Sequence, residues 1–154
     1  MTAWIIEDEP PALRRLTKLL AEVRTQMNIA FSSDSIASCV RALKSKPHPD
    51  VIFSDIHLAD GLSFSIWEQA DCQAPIIFTT AYDQYGVRAF RVNSIDYLMK
   101  PINAPELDRA LTKLHERAVP APPQDWSRIA EIIQQRQPTY RERFLAQKGQ
   151  EWLP

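Results

Sequence analysis

Short apolar runs alternate along the chain with stretches whose apolar residues return every three or four positions. The first run, Ala3–Ile6, ends at Glu7, Asp8 and Glu9. Pro10 and Pro11 then open a segment in which Leu13, Leu16, Leu20 and Val23 recur at helical spacing. Asn28–Phe31 reads as a second strand. A helix is predicted from Asp34 to Lys46, with Ile36, Val40 and Leu43 on one face, and Pro47-His48-Pro49 stops it. Val51–Phe53 is a third strand leading to Asp55, followed by a loop through Gly61 and a helix to about Ala70. Pro75–Thr79 is a fourth strand, Tyr82–Arg91 a helix, and Ile95–Met99 a fifth strand. Ala104–Ala118 closes the series as a helix with Leu107, Leu111 and Leu114 inward.

Runs such as Val51-Ile52-Phe53 are apolar at consecutive positions, which suits strands covered on both faces. Five strands, each followed by a helix, predict a parallel sheet with right-handed crossovers, hence a doubly wound α/β domain over residues 1–118. Residues 119–138 read as a Pro-rich linker and a short helix, Asp125–Gln137. Asp125 is placed as its N-cap, and Trp126, Ile129, Ile132 and Ile133 form an apolar stripe. Residues 139–154 read as a strand, a turn at Lys148-Gly149 and the start of another strand. Two strands alone do not hold together, so they are expected to be the truncated start of a further domain.

Composition narrows the function classes. The 154 residues are 45% hydrophobic and 24% charged, which argues against general disorder, and the net charge is -1. Nothing in that balance gives an overall basic field for nucleic acid or an anionic membrane. The opening MTAWIIEDEP lacks a basic, signal-like start, and no apolar run approaches the roughly 18 residues of a membrane span. A cytoplasmic protein without a membrane partner is expected. Cys39 and Cys72 follow no pairing motif and read as free thiols in a reducing compartment, most simply as buried hydrophobes.

The candidate chemistry lies where a doubly wound sheet binds ligands, beyond the carboxyl ends of its strands. Strand 1 ends in Glu7-Asp8, strand 3 in Asp55, strand 4 in Thr79-Thr80 and strand 5 in Lys100-Pro101. Three carboxylates on one edge repel one another unless a cation sits among them, and oxygen ligands with open water positions suit Mg2+. A metal ion and a lysine beside a carboxylate make a site for a phosphoryl group, with Asp55 free to attack phosphorus and Thr80 able to donate to a phosphoryl oxygen. Each residue also has a plainer use. Glu7 and Asp8 would favour a helix N-terminus, Thr80 would cap the helix near Tyr82, and Tyr97 would simply pack on its strand. It is their convergence that favours chemistry.

These residues resemble a known family. WIIEDEPPALRRL, DVIFSDIHLADGLSF, PIIFTTAYDQYGVRAF and SIDYLMKPI, spread over residues 2–118, are similar to the receiver domain of two-component response regulators, with its CheY-like fold and strand order 2-1-3-4-5. The resemblance implies that Asp55 is the phosphoacceptor and that a sensor histidine kinase supplies the phosphoryl group. It implies that Asp8 and Asp55 bind Mg2+ directly, that Glu7 acts through water, and that the backbone carbonyl of His57 completes the metal site. It further implies that Thr80 senses the phosphoryl group, that Lys100 pairs with it, that Tyr97 is the switch residue and that Pro101 follows a cis peptide. The side chain of His57 is expected to be an ordinary loop side chain. His48 and His115, with no Cys or His cluster near them, are expected to be structural or solvated.

Two positions depart from the family pattern: Glu7 where Asp is frequent, and Ala59 where a proline is frequent. Within the family, FTTAYDQYGVRAF and SIDYLMKP are similar to receivers attached to LytTR-type DNA-binding domains, and RERFLAQKGQEWLP resembles the opening of such a domain. The expected protein is a transcriptional regulator in which Thr80 and Tyr97 transmit occupancy to the face of Tyr82–Arg91, Ile95–Met99 and Ala104–Ala118, which would then favour a phosphorylation-dependent homodimer or release of the attached domain. It would touch DNA only through an output domain and would be no enzyme beyond its own phosphorylation and dephosphorylation. Two alternatives stay open: a receiver that acts only by protein contact, and a small phosphohydrolase with Asp55 as a nucleophile that turns over.

Overall fold

The computed structural model describes residues 1–81 and 96–117. The elements in chain order are β1 (Thr2–Ile6), α1 (Pro10–Val23), β2 (Asn28–Ser33), α2 (Ile36–Ser45), β3 (Val51–Asp55), β4 (His57–Leu58), β5 (Gly61–Leu62), α3 (Phe64–Gln69), β6 (Ile76–Thr80), β7 (Asp96–Met99) and α4 (Ala104–Glu116). The predicted helix Tyr82–Arg91, the linker and helix of residues 119–138, and the strands of residues 139–154 lie outside the described residues.

Five strands form one sheet in the order β2-β1-β3-β6-β7. Every neighbouring pair in it is parallel. This is the doubly wound arrangement expected from the sequence. The chain leaves β1 for the edge strand β2 and returns to β3 on the other side of β1. The connections after β1 and β3 therefore run to opposite faces and leave a crevice at their carboxyl ends.

The unbroken apolar runs follow from burial on both faces. Along β1, Trp4 and Ile6 pack with residues of α2 and α3 such as Cys39, Leu43, Phe64 and Ile66. Ala3 and Ile5 point the other way and pack with Leu16 and Leu20 of α1 and with Leu107 and Leu111 of α4. Leu13, Val23 and Leu114, read as inward, are only partly buried against that second cluster.

Several boundaries move, for local reasons. Helix α2 begins at Ile36 rather than Asp34, because Ser35 is the N-cap and its side chain accepts the Ser38 N–H. β3 runs on past Phe53 to Asp55, since the backbone ladder does not stop where the apolar side chains do. The N–H of the next residue, Ile56, still donates to the Thr79 carbonyl at 3.1 Å. The stretch expected as a plain loop contains a two-stranded antiparallel turn, with His57 paired to Leu62 and Leu58 to Gly61. Gly61 holds φ at 136°, a region that side chains disfavour.

Candidate functional site

The acid pair sits where β1 gives way to α1. The Glu7 N–H donates to the Ser33 carbonyl of β2 at 2.9 Å, so the chain stays extended through this residue. The Glu7 side chain then folds back, with Oε1 accepting the Glu9 N–H at 3.0 Å. Glu7 is buried and Asp8 is half-buried. Asp55, the last residue of β3, is buried beside them. Ligand atoms of Glu7, Asp8 and Asp55 all lie within 4.8 Å of one another.

Lys100 follows β7 and reaches back over this cluster. Its backbone N–H donates to the Thr80 carbonyl at 2.7 Å, which fixes the root of the side chain beside β6. Its ammonium lies 2.7 Å from Asp55 Oδ2 and 2.8 Å from Glu7 Oε2. The second contact was not foreseen from the sequence, which paired Lys100 with a phosphoryl group alone. The Lys100–Pro101 peptide is cis, as expected. The other Asp55 oxygen, Oδ1, accepts the His57 N–H at 3.2 Å.

Burial and charge oppose one another here. Burial pulls the Lys100 ammonium down, but the hydrogen bonds and charges of Asp55 and Glu7 outweigh it and hold the group above its ordinary value. Burial pushes the Glu7 carboxyl up and the charge of Asp55 adds to this. The Lys100 bond and the Glu9 N–H offset only part of it, so Glu7 stays above the usual carboxylate range. The donor set fits a hard divalent cation: three oxygen ligands, one of them half open to water, with more negative charge than the single ammonium neutralises.

His57 differs from its expected place as a plain loop side chain. It belongs to β4 and is half-buried, and burial lowers its pKa against the pull of the Asp55 charge. Thr80 ends β6, almost wholly buried, paired in register with Met99. Tyr97 is half-buried, paired with Phe78 and packed on the cluster between the sheet and α2 and α3. His48 and His115 are exposed, and His48 Nε2 lies 2.9 Å from the Leu43 carbonyl. Cys39 is buried and Cys72 half-buried, both as free thiols.

Asp60 was passed over in the sequence. Its Oδ2 accepts the Ile36 N–H at 2.9 Å, which ties the β4–β5 turn to the first turn of α2. Nothing local marks it, because its partner lies a whole helix and strand away.

Comparison with known proteins converges on the same architecture. Residues 3–112 match the family model described as the response regulator receiver domain. The chain is 33% identical over 128 residues to the sensory transduction protein LytT of Enterococcus faecalis, covering 81% of this chain and 52% of that protein. It is 37% identical over 117 residues to the transcriptional regulatory protein LytR of Staphylococcus aureus, covering 74% of this chain and 47% of that one. The chain thus spans about half the length of these relatives. Among solved structures, the response regulatory domain of protein mrkE from Klebsiella pneumoniae aligns with a TM-score of 0.62 and 31% identity, over 75% of this chain and 96% of that one. With the family model matched over most of the chain and the sheet in this strand order, the chain belongs to the response regulator receiver domain family.

Proposed function

We propose that the chain is the phosphoacceptor part of a two-component transcriptional regulator, and that Asp55 takes a phosphoryl group from a sensor histidine kinase. The observation that carries this reading is the meeting of Asp55 with Glu7, Asp8 and the Lys100 ammonium at one sheet edge. The Asp55 carboxylate attacks phosphorus in line. The new O–P bond forms as the P–N bond to the donor histidine breaks, and the departing imidazole takes a proton from water. Water later attacks the acyl phosphate, which releases inorganic phosphate and restores the carboxylate.

Asp8, Asp55 and the His57 carbonyl would hold Mg2+, with Glu7 acting through a water molecule. Bound Mg2+ supplies charge neutralisation on the phosphoryl oxygens. Lys100 pairs with one of those oxygens and Thr80 donates to another. Tyr97 reports occupancy to a surface that favours a homodimer. The receiver spans residues 1–118, residues 119–138 connect it, and residues 139–154 begin a LytTR-type output domain through which alone DNA is touched. The relatives named for sensory transduction and transcriptional regulation, about twice as long as this chain, support that division. The setting is cytoplasmic; among the described residues no helix is long and apolar enough to cross a membrane.

Phosphohydrolases with an aspartate nucleophile usually carry a second acid two residues past it, and His57 stands there. Incubation with phosphoramidate and Mg2+ tests the proposal. Intact mass should show one added phosphoryl group, lost on chelation and in Asp55→Asn. An adduct that persists in that variant refutes the assignment.

A further inference from the structure

The loop that carries Lys100 is fixed at three points. The Lys100 N–H donates to the Thr80 carbonyl at 2.7 Å. Arg15 Nε donates to the Ile102 carbonyl at 2.9 Å. Asn103 caps α4 by accepting the Glu106 N–H at 3.0 Å. The first and third bonds come from the strand beside the loop and the helix after it. The second comes from α1, the helix into which the Glu7–Asp8 pair leads. One side chain therefore joins the element behind the acid pair to the loop behind the ammonium, on either side of the 2.8 Å contact between Lys100 and Glu7.

We propose that Arg15 is a positioning residue for phosphoryl transfer, holding the Ile102 carbonyl so that the Lys100 ammonium is aimed at Asp55. The proposal rests on the phosphoacceptor reading of Asp55. Lysine is a point charge on a flexible four-carbon stem, so its placement depends on how firmly its root is held. A small displacement of a group that stabilises charge in the transition state lowers the rate well before it unfolds anything. The Ile102 side chain is buried with Leu16, Leu107 and Leu111, so the loop stays attached to the core when the Arg15 bond is lost. What changes is its aim. Arg15 itself is exposed, so its replacement leaves no cavity.

Two substitutions separate the bond from the charge. Methionine keeps the length of the stem without a donor, and glutamine places an amide nitrogen where the Arg15 Nε lies. With the full chain, phosphoramidate and saturating Mg2+, Arg15→Met should slow phosphorylation by about threefold to tenfold, the size that the net loss of one solvent-accessible hydrogen bond supports. Arg15→Gln should return the rate to within about twofold of the wild type. In a Lys100→Ala background, Arg15→Met should cause no further loss, because the group it positions is gone. Equal rates for wild type and Arg15→Met overturn the proposal. So does a loss of the same size in the Lys100→Ala background, or a failure of glutamine to rescue. A wild-type chain that takes up no phosphoryl group refutes the phosphoacceptor reading itself, which keeps the two failures apart.

Discussion

Lys100 forms an ion pair with Glu7 at 2.8 Å, and the same ammonium reaches Asp55 at 2.7 Å, so one cation bridges two buried carboxylates. A divalent ion held by Asp8 and Asp55 would be a second arrangement of positive charge at this edge. Both arrangements answer the same repulsion among Glu7, Asp8 and Asp55.

Removing the bridge should therefore destabilise the chain most when metal is absent. Lys100→Met is expected to cost about 2–4 kcal/mol in chelator, since it leaves buried carboxylates without their partner. Saturating Mg2+ should recover much of that loss. Urea unfolding with and without Mg2+ measures both, and equal losses in the two conditions would mean that cation and ammonium do not substitute for one another.

Asp60 accepts the Ile36 N–H from outside the helix, as an N-cap side chain does from within it. Asp60→Ala is expected to cost about 0.5–1 kcal/mol, the lower range for a lost cap at an exposed position. Asp60→Asn keeps the acceptor and should lose less. Because the turn it anchors also carries the His57 carbonyl, Mg2+ affinity should fall in the alanine variant and recover in the asparagine one. Parallel unfolding and Mg2+ titrations check the pair.

Gly61 holds φ at 136°, and a Cβ there would meet Ile36 Cδ1 at 3.4 Å, an ordinary contact. The penalty for Gly61→Ala is thus one of backbone strain rather than collision, about 1–3 kcal/mol. Thermal unfolding provides the measurement, and a neutral outcome would place this turn in a different conformation.

Burial and the nearby Cys72 push the Cys39 thiol up from 9.0 to about 12. Between those values the unfolded chain has lost the proton that the folded chain keeps. The contribution of Cys39 to stability is complete below 9.0 and declines as pH rises towards about 12. Cys39→Ala should lower stability at neutral pH by emptying core volume, yet show a shallower decline in alkali. In the native chain Cys39 should also resist alkylation under conditions that label an exposed thiol. Rapid labelling without unfolding would contradict its buried placement.

The strands were legible because residues such as Val51, Ile52 and Phe53 are buried on both faces, and that leaves a consecutive apolar signature. Asp8, Asp55 and Lys100 were legible because each stands where an apolar run stops, so topology alone brings them together. The short antiparallel turn of β4 and β5 was hidden, since two paired residues on each side leave no alternating pattern. The contacts of Arg15 and Asp60 were hidden for another reason. Their partners lie 87 and 24 residues away, and both are backbone groups, which carry no side-chain signature.

The sheet also acts as a partition. Trp4 and Ile5 are neighbours along the chain, yet they fill separate compartments, one under α2 and α3 and the other under α1 and α4. Volume lost on one side cannot be replaced from the other, because the hydrogen-bonded backbone lies between them. Compensating changes for a Trp4 substitution must come from residues such as Phe31, Val40 or Phe64, and those for Ile5 from Leu16, Leu20 or Leu107. Sequences that diverge from this one can thus drift on one side of the sheet while the other side, and the acidic edge held between them, keeps its shape.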